Sequence, residues 1–307
     1  MIVQKEYLEK LKKRCEEKRL KGATMTKPDC RIDLHIHSAA SDGTDSPEML
    51  FEKIKAAGIG IFALTDHDTI SGALEMQKLI SGDLVFVKGI EFSCITAAGK
   101  CHILGYNYDE TAPAFRAILE EGKAKRLRKL DRRIEFLKEN FGIELSPEEL
   151  AKLRGLNSVG NPHIARLLVA RGYAADISEA IQKYLKPCKT EQSRVDGVAA
   201  IQAILAAGGT PVWAHPLGGT GEKLLTEEKY AEQLALLKAA GLMGLECYYS
   251  RYSAEQVRFL LARAEKNGLY ISGGSDYHGL NKAVQLGELN AFGEVVTSER
   301  ITLPILG

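Results

Sequence analysis

The stretch Arg31-Ile32-Asp33-Leu34-His35-Ile36-His37 decides how this chain is read. Alternation along an extended strand sets Asp33, His35 and His37 on one face and Ile32, Leu34 and Ile36 on the other. Two imidazoles two residues apart then point the same way, as two ligands of one metal ion must. The pattern recurs, because six of the seven histidines lie at or just past an apolar, β-rich run. Ile59 to Leu64 leads into Thr65-Asp66-His67-Asp68, and Leu84 to Val87 into Gly89-Ile90-Glu91. Lys100-Cys101-His102-Ile103-Leu104 carries a histidine within a strand-like run, and Thr210 to Ala214 delivers His215-Pro216. Leu269 to Ser272 delivers Gly273-Gly274-Ser275-Asp276-Tyr277-His278.

With Asp42, in the loop after the first strand, nine side chains form one candidate ligand set: His35, His37, Asp42, His67, Glu91, His102, His215, Asp276 and His278. A lone histidine near a strand end is ordinarily a hydrogen-bonded polar residue. Here almost all of a scarce residue gathers beside strand termini with acidic neighbours, which points to a metal site. Nine ligands exceed one coordination sphere, so two or three divalent ions with bridging carboxylates are expected. Imidazole and carboxylate without thiolate suit manganese, iron or zinc.

At 307 residues the chain can bury a large core. Its 41 Lys+Arg balance 40 Asp+Glu, which argues against a stable duplex nucleic-acid partner. Six cysteines without a Cys-x-x-Cys pair read as reduced thiols. Met1-Ile2-Val3-Gln4-Lys5-Glu6 runs straight into charged residues and no apolar run approaches membrane-spanning length, so a cytoplasmic protein without membrane contact is expected.

Residues 1–29 read as a charged helical extension, with Tyr7, Leu8, Leu11 and Cys15 on one side. Strand and helix then alternate over 30–109 and again over 196–307, a parallel α/β pattern in which the proposed ligands sit at carboxyl ends of strands. Ser46-Pro47 supplies a cap and first-turn proline for the helix after the first strand. Residues 110–195 read as helices only, including Ala112 to Asn140, a capping box at Ser146-Pro147-Glu148-Glu149, a helix opened by Asn161-Pro162-His163, and another near Ser178 to Leu185. This insertion is expected to cap the barrel mouth.

Asp33-Leu34-His35-Ile36-His37-Ser38, Asp42-Gly43, Thr65-Asp66-His67-Asp68, Gly89-Ile90-Glu91, Ala214-His215-Pro216 and Gly274-Ser275-Asp276-Tyr277-His278 resemble, in order, the motifs of the PHP superfamily, named for polymerase and histidinol phosphatase. The resemblance runs from Arg31 to about Gly287. It implies an α/β fold, a distorted (β/α)7 TIM-like barrel, with up to three ions at its mouth and activity on phosphate esters. It further implies that His35, His37, Glu91, His102, Asp276 and His215 hold two buried ions, with Glu91 bridging, and that Asp42, His67 and His278 hold a third. The helical insertion with Asn161-Pro162-His163-Ile164-Ala165-Arg166 is most similar to stand-alone nucleotide phosphoesterases, which hydrolyse nucleoside bisphosphates, monophosphates or short oligonucleotides from the 5′ end. Asn161 stands where those relatives often carry arginine, and Lys186 to Arg194 lacks their more aromatic sequence.

The expected chemistry is in-line attack of a metal-activated hydroxide on a phosphorylated small molecule or short oligonucleotide. Asp33, Asp66 and Asp68 are then expected to orient imidazoles. A second phosphate would rest on the amino end of the Asn161 helix, with His163, Arg166 and Arg194 nearby. The basic run Lys123 to Arg133 reads as a solvated helix face. The rival activities are a histidinol-phosphate phosphatase and a metal-dependent amidohydrolase; the latter usually needs a metal-bridging lysine, which no strand end supplies here.

Overall fold

The structure, a computed structural model, describes residues 30–190, 192–220 and 223–304. The extension expected over residues 1–29 lies outside them. The strands are β1 (Arg31–Ile36), β2 (Ile59–Leu64), β3 (Val85–Thr96), β4 (Gly99–Tyr106), β5 (Val195–Asp196), β6 (Thr210–Ala214), β7 (Gly244–Tyr249) and β8 (Tyr270–Gly274). Seven form one sheet in the order β1-β2-β3-β4-β6-β7-β8, and the short β5 pairs with β3. The sheet nearly closes, because the Asp276 amide donates to the His35 carbonyl at 2.8 Å and the His37 amide to the Tyr277 carbonyl at 2.9 Å. That approach requires glycine at 274, where a Cβ would lie 2.2 Å from His35 Cβ and 2.5 Å from its amide nitrogen. The result is a distorted seven-stranded barrel.

One expectation needs correction. The sheet is not wholly parallel, since β4 runs antiparallel to both β3 and β6. Ala97-Ala98 turns the chain straight back with no crossover helix, so two strands meet as a hairpin. His102 therefore lies in the first half of β4 rather than at a carboxyl end, and Glu91 lies midway along the long β3. Both still face the rim, because an antiparallel strand begins where its parallel neighbours finish.

The helices are α1 (Pro47–Ala56), α2 (Ser71–Leu79), α3 (Pro113–Phe141), α4 (Pro147–Gly155), α5 (Asn161–Ala170), α6 (Ile177–Ala180), which runs into a π turn over Ile181–Leu185, α7 (Gly197–Ala206), α8 (Glu227–Ala240) and α9 (Ala254–Asn267). Ser46 caps α1 by accepting the Met49 amide, and Leu50 and Ile54 bury its apolar stripe. Helix α3 is 29 residues long and joins two cores. Its Phe115 and Ile118 pack with the barrel interior, whereas Leu130 and Leu137 pack with Leu153, Ile164, Leu168 and Leu185 of the neighbouring helices. The Ser146–Glu149 capping box forms in both directions and starts α4. No helix among the described residues is long and apolar enough to cross a membrane.

Candidate metal centre

All nine residues of the candidate ligand set meet at one end of the barrel, around Glu91. Its Oε2 lies 3.3 Å from His35 Nε2, 3.2 Å from His37 Nε2 and 3.0 Å from His67 Nδ1. Its Oε1 lies 2.9 Å from His102 Nδ1 and 3.2 Å from His215 Nε2. Asp276 Oδ1 stands 3.6 Å from His35 Nε2 and 3.4 Å from His37 Nε2. Asp42 completes the cluster, 3.2 Å from His278 Nε2, 3.6 Å from His37 Nδ1 and 3.9 Å from His67 Nε2. Three donor groups follow: His35 with His37 and Asp276; His67 with Glu91 and His102; and His37, Asp42, His67 and His278.

The backbone is bent to make this arrangement. His215 and Asp276, each just past a strand, have φ of 30° and 58°, and Asp68 has 51°. Left-handed conformations cost a residue with a Cβ about 1 kcal/mol or more, and they concentrate where geometry matters more than stability. Here they turn side chains at strand ends back towards the barrel axis.

The donor set fits divalent ions. Glu91 Oε2, His37 Nδ1 and His67 Nδ1 are buried with no hydrogen-bond partner. His35 Nε2 faces His37 Nε2 at 3.1 Å, a contact at which at least one nitrogen must offer a lone pair. An ion bound at ~2.1 Å separates neighbouring ligand atoms by roughly 3.0 to 3.4 Å, close to most of these spacings. Charge is equally concentrated. Burial alone would raise the Glu91 and Asp42 carboxyls, yet the surrounding imidazoles hold both well below the usual carboxylate range. Burial opposes protonation of His35, but Glu246, Glu91 and Asp276 together raise it well above an ordinary histidine. Burial and the neighbouring His278 push His37 the other way. The cluster thus gathers three carboxylates among six imidazoles, a donor set that suits divalent ions.

Asp33, Asp66 and Asp68 are brought to the site but do not orient imidazoles, and the expectation is corrected here. Asp33 accepts the amides of His35, Ser275 and Gly287, so it ties β1 to the loop after β8. Asp66 accepts the Ser38 amide and the Ser38 and Ser41 hydroxyls, which shapes the loop bearing Asp42. Asp68 accepts the Ser93 amide and pairs with Arg126. These carboxylates have too many backbone and hydroxyl donors within reach to spare an oxygen for a ring nitrogen.

The residue that does orient an imidazole is Glu246, which the sequence reading passed over. It is fully buried on β7, takes a hydrogen bond from His35 Nδ1 at 2.8 Å, and accepts the His215 amide at 2.7 Å. A carboxylate inside the apolar run Gly244-Leu245-Glu246-Cys247-Tyr248-Tyr249 was the available signal. Tyr249 likewise donates to Asp276 Oδ2 at 2.9 Å, and Lys282 pairs with the same oxygen.

A cavity of about 230 Å³ opens directly on His67, His102 and Asp42. Arg126, Lys129, Arg133, Asn161 and Arg194 line it. The expectation of a solvated basic face on α3 therefore holds only in part: Lys123, Arg128 and Arg132 are exposed, whereas Arg126, Lys129 and Arg133, spaced three and four apart, turn inward. Burial first, then the neighbouring arginines, pushes Lys129 down to about 7. Arg133 Nε and Arg194 Nη1 are buried without partners.

His163 does not line this cavity. Its Nδ1 accepts the Gly160 amide at 3.0 Å. That contact closes the first turn of α5 and occupies Nδ1. Arg166, one turn on, is half-buried and also off the cavity wall.

Comparison with known proteins agrees with this architecture. The PHP domain family profile matches residues 33–195. A 5′-3′ exoribonuclease of Haemophilus influenzae is 33% identical over 81% of this chain and 90% of its own length. A 3′,5′-nucleoside bisphosphate phosphatase of Chromobacterium violaceum is 30% identical over 80% of this chain and 87% of its own. A solved structure from Bifidobacterium adolescentis, provisionally described as a metal-dependent phosphoesterase, superimposes with a TM-score of 0.73 at 30% identity, covering 84% of this chain and 91% of that one. With its motifs, its barrel and these relatives in agreement, the chain belongs to the PHP family of metal-dependent phosphoesterases.

Proposed function

We propose that this phosphoesterase hydrolyses nucleotide phosphate esters whose substrate carries a second phosphate, either a nucleoside bisphosphate or a short 5′-phosphorylated oligonucleotide. The observation that carries this reading is the cavity walled by Arg126, Lys129, Arg133 and Arg194 that opens onto His67 and His102. Four basic groups face one chamber; among the described residues lining it the one carboxylate is Asp42, within the metal cluster, and Arg126 is paired with Asp68. A dianion entering there replaces like-charge repulsion with charge-assisted hydrogen bonds.

The nine clustered side chains would hold two or three divalent ions, manganese, iron or zinc, with Glu91 central among them. Ions bound there would polarise the phosphoryl oxygens and lower the pKa of a water, the two needs of attack on an anionic phosphorus. The chain's own residues perform the rest. Glu246 holds His35 with Nε2 directed into the cluster, Tyr249 and Lys282 fix Asp276, and Asp68 aims Arg126 into the cavity. Arg126, Lys129, Arg133, Arg194 and Asn161 bind the phosphate that is not cleaved, and so position the one that is.

Histidinol phosphate fits this chamber poorly, because its ammonium and imidazole would meet four positive groups. An amidohydrolase usually needs a metal-bridging lysine, and no lysine stands among the clustered side chains, where Glu91 is central. The test compares kcat/KM of the manganese-loaded enzyme for a nucleoside 3′,5′-bisphosphate and for the 3′-monophosphate. The bisphosphate is expected to be better by about tenfold or more, and Lys129→Ala with Arg133→Ala to remove most of that advantage through KM. Equal values for the two substrates, unchanged in the double variant, would refute the second anion site.

A further inference from the structure

His102 and Arg194 form a wall shared by two cavities. One is the basic chamber beneath the cap. The other, of about 240 Å³, lies on the opposite side of that wall, with Ala214, Pro216 and Leu225 as an uncharged floor and Lys100 and Lys223 beside Arg194. No carboxylate lines it. Among the described residues, neither Lys100 nor Lys223 takes part in an ion pair, although lysines elsewhere on the surface commonly do. Its two histidines, His102 and His215, are the pair that flanks Glu91 Oε1. The centre is therefore open on two sides, each with its own basic groups.

A nucleoside 3′,5′-bisphosphate has no use for the second side. Its cleaved phosphate is terminal, and nothing extends beyond it. An oligonucleotide does extend, because its scissile phosphate also carries the 5′-oxygen of the next nucleoside, and in in-line attack that group lies to the side of the axis joining the entering water and the departing 3′-oxygen. Resting on the proposed function, we propose that the second cavity is the subsite for the nucleotide downstream of the scissile phosphate, with the next backbone phosphate held by Lys100 and Lys223. The reaction is hydrolysis. The oxygen of water bonds to phosphorus, the bond from phosphorus to the 3′-oxygen breaks, and a proton from the water ends on that 3′-oxygen. The products are a nucleoside 5′-monophosphate and a chain one nucleotide shorter that carries a 5′-phosphate. That new terminal phosphate is the group the first cavity binds, so the product can re-enter as substrate.

The test uses the manganese-loaded full-length protein and the variant Lys100→Ala with Lys223→Ala. The substrates are a 5′-phosphorylated trinucleotide and a nucleoside 3′,5′-bisphosphate. KM for the trinucleotide is expected to rise by about tenfold, as for loss of two partly exposed charge-assisted contacts, while kcat/KM for the bisphosphate changes by less than about twofold. A parallel loss on both substrates, or no change on either, would overturn the subsite. Fluorescence anisotropy of a labelled 5′-phosphorylated trinucleotide on the metal-free protein gives a readout independent of turnover. If the wild type hydrolyses neither substrate, the proposed function falls, and the anisotropy then decides the subsite alone: tighter binding by wild type than by the variant supports it, and equal binding overturns it.

Discussion

Glu246→Gln tests the centre at the point where its geometry is set. Both carboxylate oxygens are committed, one to a ring N–H of His35 at 2.8 Å and the other to the His215 amide at 2.7 Å, and the side chain is fully buried. Glutamine has the same shape but one oxygen, so while His35 keeps its proton on Nδ1, as a ring whose Nε2 lone pair faces the cluster must, the amide N–H faces another donor whichever way it turns. Leaving one buried donor unsatisfied costs about 1–3 kcal/mol. At ~2 kcal/mol in a chain of 307 residues, Tm should fall by about 3 °C. The effect on metal should be larger than the effect on stability. His35 would lose the partner that keeps its Nε2 directed at the cluster, and removal of such a supporting group typically weakens metal affinity by about 10–100-fold. Calorimetric melting of the metal-free protein gives the first quantity, and manganese titration against a competing chelator gives the second. An unchanged Tm together with metal affinity within about threefold of wild type would refute the assignment of Glu246 as the group that orients His35.

Asp276→Asn is expected to lower kcat by about a hundredfold or more with the fold retained, because a neutral amide replaces the anion facing His35 and His37; near-normal turnover in metal-sufficient buffer would remove Asp276 from the ligand set. Elemental analysis after reconstitution should find two or three ions per chain, and a fully active protein with one ion or fewer would sink the multinuclear reading. Lys129→Met should change the dependence of stability on pH. Lys129 is pushed down to about 7 in the fold from an ordinary value of 10.5, so between these values the unfolded chain binds more protons and wild-type stability rises with pH. The variant lacks that rise, so its Tm advantage near pH 7 should shrink towards pH 10; parallel Tm curves for the two proteins would contradict it.

Much of the centre was legible because a metal site needs particular atoms, and those atoms come from few residue types. His35 and His37 announce themselves by alternation, and His215, Asp276 and His278 by following apolar strands. The basic chamber was less legible. Arg126, Lys129 and Arg133 belong to a run in which nearly every residue is charged, and periodicity cannot separate an inward face from a solvated one when both carry the same groups. His163 looked like a phosphate ligand because helix starts favour anions. In the fold its Nδ1 accepts the Gly160 amide, and the ring is not among the groups lining the basic chamber.

The succession of strands and helices along the chain and the candidate ligands follow from the sequence by itself, since apolar periodicity and capping residues act over a few neighbours. Tertiary structure decided what depends on contacts between distant segments. It reversed β4, which moved His102 from an expected strand end to an antiparallel start. It gave Asp33, Asp66 and Asp68 backbone and hydroxyl partners in place of imidazoles, and it brought Glu246 from β7 to His35 on β1. A carboxylate's role is set by which donors reach it first in space, and that competition is settled only when the barrel closes.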